Sequence, residues 1–324
     1  PSIGGIGSFI RKVTAFTLLS EIIGTLWIYA ALPDNFPNRF FHALFHAVSA
    51  FCNAGFSSFQ YNLNVPGLNS IKFAICILVV IGGLGFPVLF EIIKKLNRKK
   101  FHKFTANTVL SLWMTSFLFV MGFIGIFLIE AFQSPQNFHF IKDLGEAIFY
   151  SISTRTAGFN LSEPQYFTKG SQILMILLMI IGGAPLSTAG GIKTTTAGIM
   201  LSSTFSLLRG HKWIQFRKSE IAPIVLQKCT TIVVLYFIAV LSSIIVLTAI
   251  EPLDSWSITF EVFSALSTVG LSLGVTDQLS SISKMIFIVL MLAGRLGLVT
   301  MVYIGIGKVA HQKFHFAQER FYVG

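Results

Sequence analysis

The sequence is short of charge. Only 11% of its 324 residues are Asp, Glu, Lys or Arg, against about a quarter in a soluble domain, which excludes an ordinary water-facing surface. Acid is scarcer than base, with 13 Asp and Glu against 24 Lys and Arg. Cysteine is scarce too: Cys52, Cys76 and Cys229 all lie in apolar segments without metal-ligand spacing. They read as small buried hydrophobes, not as a disulfide framework or a zinc site. No nucleophile–base constellation and no phosphate-binding glycine loop is present in the pattern, so an enzyme is not expected. No signal peptide opens the chain and its first residue is Pro1, so it is read as a fragment of something longer.

Apolar length is abundant. Hydrophobic residues make up 53% of the chain and 33 residues are Phe. Several runs exceed the ~20 apolar residues that cross a bilayer, and an integral membrane protein is expected. The net charge of +11 sits mostly in short links, "KKLNRKKFHK" at 94–103, "RGHKWIQFRK" at 209–218 and the tail after Lys308. The acids Asp34, Glu130, Asp143, Glu146, Glu163, Glu251, Asp254, Glu261 and Asp277 occupy the alternate links. Short basic loops mark the cytoplasmic side, so the charge reports topology in a multi-pass cell-membrane protein. No nucleic-acid partner is expected.

A repeat of roughly 105–110 residues organises the chain. The first copy has apolar segments near 13–32, 40–52 and 71–93; the second near 106–131, 143–155 and 171–200; the third near 222–250, 256–267 and 283–307. Each reads as membrane helix, short half-helix, membrane helix. About a dozen apolar residues are too few to span and suit a re-entrant segment. Because a basic link follows each copy, the repeats run parallel, with the half-helices connected on the outer side. The expected fold is all-α, with parallel tandem repeats around a central pore. The corresponding divisions are 1–103 with an N-terminal cytoplasmic link, 104–218 with a broken final helix, and 219–324 with a cytoplasmic tail.

The short segments end on a common pattern: Asn53-Ala54-Gly55-Phe56, Thr156-Ala157-Gly158-Phe159 and Thr268-Val269-Gly270-Leu271. A half-helix descending from outside ends with free carbonyls and the negative end of its dipole near mid-membrane. Irregular backbone at that depth is tolerated where it lines a polar cavity, and carbonyls there can replace the hydration shell of a cation. Glycine admits the conformations this requires. These twelve residues are the expected ion filter. A carbonyl ring of this kind has four contributors, so a lost copy is expected before Pro1, with "PSIGGIGSFIRK" as the link from it.

A second register follows about 24–27 residues after each glycine, "IGGLG" at 81–85, "IGGAP" at 181–185 and "AGRLG" at 293–297. In the second copy it extends to "IGGAPLSTAGGIKTTTAG", where six of eighteen residues are Gly or Pro, and the helix is expected to break. The break is read as a gate loop over 182–198, below the filter. Its residues are Gly182, Gly183, Ala184, Pro185, Ser187, Thr188, Ala189, Gly190, Gly191 and Lys193, with Thr194 to Thr196 able to satisfy freed backbone groups. Arg295 stands mid-span where the other copies have Gly83 and Gly183. An intramembrane guanidinium needs carbonyls, a carboxylate or water, and a role holding the gate loop is expected. Lys193 reads equally as a helix-end cation or a gating one.

Arg155 is expected behind the filter as a brace, and Glu21 inside the first span needs a partner. His42 and His46 share a helix face at metal-ligand spacing, but no third ligand is apparent and no metal is expected beyond the transported ion. The basic links either report topology alone or dock a cytosolic partner or anionic lipid.

The pieces "FHAVSAFCNAGFS", "STRTAGFN", "GGAPLSTAGGIKTTT", "SALSTVGLSLG" and "AGRLGLVT" resemble the Ktr/Trk/HKT superfamily of potassium transporters, most of all the bacterial Ktr membrane subunit. Leu186 replaces a small residue usual in that family. The resemblance aligns the chain with the second, third and fourth family repeats. It implies one filter glycine per repeat, four repeats around one pore, K⁺ as cargo, a membrane-subunit homodimer and a cytosolic nucleotide-binding ring as regulator. Expected function is therefore K⁺ uptake through a gated pore. A Na⁺-permeating or Na⁺-coupled transporter of the same build and a non-conducting scaffold stand as the alternatives.

Overall fold

The computed structural model describes residues 3–60, 62–64, 69–97, 103–136, 139–210, 213–217, 219–298 and 300–301. The basic tail and residues 98–102, 211–212 and 218 of the basic links lie outside the described residues. The first copy contains α1 (Ile3–Ala31), α2 (Arg39–Phe51), α3 (Asn69–Gly83) and α4 (Phe86–Asn97). The second contains α5 (Ala106–Gln133), α6 (Phe140–Ser153), α7 (Lys169–Ile180) and α8 (Thr194–Leu208). A two-residue hairpin, β1 (Gln215–Phe216) with β2 (Ser219–Glu220), leads to α9 (Pro223–Ile250), α10 (Ser255–Leu266) and α11 (Ser281–Leu296) of the third.

The long helices carry their apolar residues outward. Ile6–Ala31, Ala106–Gln133 and Pro223–Ile250 are each long and apolar enough to cross a membrane. Leu18, Ile22, Phe117, Ile124, Leu241 and Ile245 on them are exposed, which suits hydrocarbon as the surrounding solvent and would be a liability in water. The short helices bury their inner faces, with Ala47 and Phe51 on α2, Tyr150 on α6 and Phe260 on α10 fully buried, while Phe40, Phe41 and Leu44 on α2 and Ile141 and Ile148 on α6 are exposed. A membrane protein with each half-helix packed against the long helix of its own copy results.

Local chemistry fixes where the final spans begin. Thr168 caps α7 through Ser171 N (3.4 Å) and Ser280 caps α11 through Ser283 N (3.3 Å), each satisfying one donor left orphaned at a helix start. An acid from the end of the preceding span then holds the cap. Glu130, on the last turn of α5, accepts from Thr168 N (3.0 Å) and Oγ1 (2.8 Å). Glu251, just past α9, accepts from Ser280 N at 2.9 Å. Hydrogen bonds from the side chains of Ser280 and Ser283, then from Ser280 N, hold the Glu251 carboxyl below the ordinary carboxylate range. Since a charge-assisted bond contributes about 1.5–3 kcal/mol and a buried unpaired donor costs about as much, Glu130→Ala is expected to destabilise the protein by about 2 kcal/mol. Thermal unfolding in detergent checks this; a melting temperature equal to that of wild type would remove Glu130 from the list of fold-determining groups.

Neighbouring copies are tied by polar contacts between their outer loops and helices. Leu63 N donates to Asn160 O at 3.0 Å, and Asn160 N donates to Asn62 Oδ1 at 3.3 Å. Trp256 Nε1 donates to Gln172 Oε1 at 2.6 Å, joining α10 to α7, while the Gln172 amide donates to Pro164 O and Phe167 O.

The expected continuous span near 71–93 is in fact two helices, α3 and α4, bent by 101°. The break falls at Leu84-Gly85, where Gly85 has φ +81° and a Cβ would lie 2.6 Å from Pro185 O. Phe86 N, the first donor of α4, bonds Leu186 O at 3.2 Å. The bend falls in the glycine-rich second register and is held by contact with the second copy. With α11 ending before Gly297 at φ +91°, all three final spans break at the second register.

Candidate functional site

Each half-helix stops in the interior and turns by the same backbone path. Asn53, Thr156 and Thr268 are left-handed at φ 49°, 70° and 56°, and two residues later Gly55, Gly158 and Gly270 are at 73°, 75° and 95°. A β-branched residue at positive φ is a steric outlier, and such strain persists only where surroundings over-determine it. Here the half-helix does so. Ala54 N reaches Ser49 O (2.8 Å), Ala157 N reaches Ser153 O (3.0 Å) and Val269 N reaches Ser264 O (2.8 Å). The Asn53 amide, turned with its nitrogen inward, donates to Ala50 O at 3.1 Å and Val79 O at 3.2 Å.

The three turns touch. A Cβ on Gly55 would lie 2.3 Å from Ala157 O and 3.0 Å from Gly158 Cα; one on Gly158 would lie 2.0 Å from Val269 O and 3.3 Å from Gly270 Cα. The glycines therefore form a contiguous arc, Gly55 and Gly158 each with the missing side chain facing the neighbouring copy's carbonyl and Gly270 at its open end. Beyond Gly270 the arc opens on a cavity of about 520 Å³ between the first and third copies, lined by Asn53, Ala54 and Phe56 on one side and Thr268, Val269 and Leu271 on the other. One step outward from the glycines, Phe56 O accepts from Ser49 Oγ (2.7 Å) and Phe159 O from Ser153 Oγ (2.6 Å). The Phe159 and Leu271 side chains are buried, whereas Phe56 is 69% exposed.

The second register lies beneath. A Cβ on Gly82 would lie 2.0 Å from Phe51 O, and one on Gly294 1.9 Å from Leu266 O. Phe51 and Leu266 are the last residues of α2 and α10, so these glycines let the final span run against the carbonyl end of its own half-helix. In the second copy Gly182 meets Gly190 O at 2.0 Å instead.

The loop from Ile181 to Lys193 crosses under the arc and is hydrogen-bonded throughout. Its ends pair as a parallel bridge between Ile181 and Ile192, with Gly182 N on Ile192 O (2.9 Å) and Thr194 N on Gly183 O (3.0 Å). Toward the first copy, Ala184 N donates to Gly83 O (2.9 Å) and Thr188 N to Gly82 O (3.3 Å). Thr188 Oγ1 donates to Phe51 O at 3.0 Å. Toward the third copy, Arg295 Nη1 donates to Thr188 O, and a Cβ on Gly190 would lie 1.9 Å from Thr268 Oγ1. Thr188 thus holds both neighbouring copies. Ser187 Oγ accepts from Ala189 N (3.3 Å), and Lys193 Nζ donates to Ala189 O (2.6 Å). Pro185 packs beside Gly85, Gly191 is left-handed at φ 64°, and Leu186 is left-handed at φ 57° and exposed.

Arg155 is buried behind the second turn, its Nη2 donating to Gly182 O at 2.7 Å and its guanidinium lying 4.7 Å from the Phe119 ring. Among the described residues the ion pairs are Arg39–Asp34 and Lys142–Glu146, so Arg155 and Arg295 rest on carbonyls. Glu21 lies 3.9 Å from Cys52 Sγ. The histidine pair turns to serines: His42 Nδ1 lies 2.6 Å from Ser58 Oγ and His46 Nε2 lies 2.9 Å from Ser57 Oγ. Sequence reasoning missed the left-handed residues before the glycines and the contacts of Gly82 and Gly294. The only signal for either was their recurrence at one register.

Residues 6–312 match the TrkH family model, described as a cation transport protein. The Ktr system potassium uptake protein B of Bacillus subtilis is 36% identical over 310 residues, covering 94% of this chain and 68% of its own length. The protein of the same name from Vibrio alginolyticus is 33% identical over 301 residues, with 91% and 66% covered. The potassium/sodium uptake protein NtpJ of Enterococcus hirae is 33% identical over 309 residues, with 92% and 67% covered. The crystal structure of the potassium transporter TrkH from Vibrio parahaemolyticus superposes with TM-score 0.73 at 18% identity, over 94% of this chain and 64% of that one. It shares the fold. The chain spans about two thirds of the length of these proteins.

Proposed function

The chain belongs to the TrkH family of cation transport proteins, and on that premise we propose that it forms the ion pathway of a potassium uptake system in the cell membrane. The observation that carries the reading is the contiguous arc of three left-handed turns, each at the carbonyl end of a buried half-helix. Aligned helix ends supply partial negative charge, and closely spaced carbonyls supply ligands for a cation that has shed water. The filter assignment covers the residues from Asn53 to Phe56, Thr156 to Phe159 and Thr268 to Leu271. The cavity of about 520 Å³ beside Gly270 is the side on which a fourth copy would complete the ring.

Below the arc, the loop from Gly182 to Lys193 is the proposed gate, with Arg295 as its latch on the third copy. The basic links face the cytoplasm, where a nucleotide-binding ring would dock, and the membrane subunit pairs with a second copy. A Na⁺-permeating or Na⁺-coupled transporter is the second reading. It is favoured by one observation, the potassium/sodium name of the Enterococcus relative.

Initial K⁺ uptake by the full-length protein, in cells deprived of their own K⁺ uptake systems, separates these readings. Saturable K⁺ uptake without external Na⁺ is expected. A strict Na⁺ requirement would favour the second reading, and no uptake of either ion by correctly inserted protein together with its cytosolic partner would support the scaffold.

A further inference from the structure

Behind each glycine, a larger buried polar side chain of the half-helix than the turn's own serine reaches the chain segment that leads outward from the turn. Each stands three residues before the serine that accepts from the turn, His46 before Ser49, Tyr150 before Ser153 and Glu261 before Ser264, which puts them nine, eight and nine residues ahead of Gly55, Gly158 and Gly270. His46 and Tyr150 are wholly buried and Glu261 is 8% exposed. Their targets also correspond. His46 Nδ1 lies 2.7 Å from the His42 carbonyl, which only accepts, so Nδ1 carries the proton. Neutral Nε2 then accepts from Ser57 Oγ at 2.9 Å, and Ser57 Oγ accepts in turn from Phe59 N at 3.1 Å. Tyr150 donates its hydroxyl to Ser162 O and accepts from Leu161 N (3.3 Å) and Ser162 N (3.1 Å). Glu261 Oε1 accepts from Ser272 Oγ and from Leu273 N at 3.2 Å.

Three chemically unrelated side chains thus do the same thing at the same place, two to four residues beyond Gly55, Gly158 and Gly270. An apolar side chain would fill that volume more cheaply, since a buried polar group must be satisfied to be tolerated at all. What a hydrogen bond adds to packing is directional restraint. The outward arm begins at the carbonyl that follows the glycine, so its lateral position fixes the diameter of the carbonyl cage.

Resting on the filter reading above, we infer that His46, Tyr150 and Glu261 are positioning residues that hold the three outward arms at the spacing a dehydrated K⁺ requires. None of them touches the ion. Each sets selectivity through the backbone it restrains, and the ring is braced asymmetrically, by an imidazole, a phenol and a carboxylate.

The test compares Tyr150→Phe, Glu261→Ala and Glu261→Gln with wild type and Gly158→Ser in the full-length protein, measuring KM for K⁺ with Na⁺ as competitor. Tyr150→Phe and Glu261→Ala keep the half-helix but drop the restraint. Each is expected to raise KM for K⁺ by about 3- to 10-fold and lower discrimination against Na⁺ in proportion, the equivalent of one or two lost hydrogen bonds. Glu261→Gln keeps the accepting Oε1 and is expected to stay within about twofold of wild type. A merely structural role would reduce the amount of inserted protein and leave the K⁺ to Na⁺ ratio unchanged, and that result overturns the inference. If Glu261→Ala fails to insert, Ser272→Ala removes its side-chain restraint from the arm side, and if Tyr150→Phe fails to insert, Ser57→Ala removes the corresponding restraint that His46 makes in the first copy; each must shift the ratio in the same direction. Should Gly158→Ser leave the ratio untouched, the filter reading itself fails; a collapse in Gly158→Ser with wild-type ratios in the braces refutes the braces alone.

Discussion

Gly158→Ser is expected to collapse the preference for K⁺ over Na⁺ and to weaken K⁺ uptake by about tenfold or more. Gly158 has φ +75°, and an added Cβ would stand 2.0 Å from Val269 O. Neither side can retreat. Ala157 N and Gly158 N both bond Ser153 O, at 3.0 and 3.1 Å, and Val269 N is held by Ser264 O at 2.8 Å. Strain at such a position costs about 1–3 kcal/mol, and each 1.4 kcal/mol is about a factor of ten in an equilibrium constant. Part of that strain appears as a widened carbonyl cage, which loses the smaller margin between two monovalent ions first. Gly270→Ser should do less, because the nearest atom to its Cβ is Gly158 Cα at 3.9 Å, though its φ of +95° still disfavours a side chain. The KM values for K⁺ with and without Na⁺ decide the matter. A Gly158→Ser protein inserted at normal levels with wild-type discrimination would separate this glycine from ion selection.

Arg295→Gln is expected to act in the opposite sense, raising maximal K⁺ uptake about tenfold while KM for K⁺ changes little. Arg295 holds Thr188 O, and among the described residues the other hydrogen bonds of Thr188 run toward the first copy, to Gly82 O at 3.3 Å and Phe51 O at 3.0 Å. Removing the guanidinium frees one side of the loop and removes a positive charge that lines the cavity beside Gly270, on the proposed path of the cation. A hydrogen bond from a charged donor contributes about 1.5–3 kcal/mol, enough to shift a closed–open equilibrium by about tenfold. Arg295→Lys keeps the charge as a compact ammonium but not the planar fork of donors, and an intermediate rate is expected. A fall in maximal rate in Arg295→Gln, with protein levels unchanged, would mean that Arg295 supports conduction.

The spanning helices were legible because hydropathy and length suffice to identify them. α5 and α9 lie close to the segments expected near 106–131 and 222–250, whereas α1 ends where the segment near 13–32 was expected to end but begins at Ile3, inside the stretch read as a link. The short helices were legible from recurrence, and the resemblance to the Ktr and Trk proteins is borne out by the family match. What could not be read depends on contacts between copies. The α3–α4 break at Leu84-Gly85 is held where Leu186 O and Pro185 O of the second copy meet that backbone. The loop near 182–198 was visible as a break in helix chemistry, yet its hub at Thr188 was not, since its partners Gly82, Phe51 and Arg295 lie more than a hundred residues away in sequence. The left-handed Thr156 and Thr268 contradict local propensity outright. His42 and His46 carried a metal-ligand spacing, and only the folded chain shows Ser57 and Ser58 brought against them.

One measurement bears most directly on the carbonyl arc: calorimetric titration of the purified full-length protein with K⁺ in Na⁺-free solution, for wild type and for Gly55→Ser, Gly158→Ser and Gly270→Ser. The expected result is K⁺ binding that Na⁺ competes for weakly, weakened in all three variants and most in Gly55→Ser and Gly158→Ser, whose Cβ atoms would meet a neighbouring carbonyl. K⁺ binding of wild-type strength in all three folded variants would contradict the assignment of these glycines to a filter.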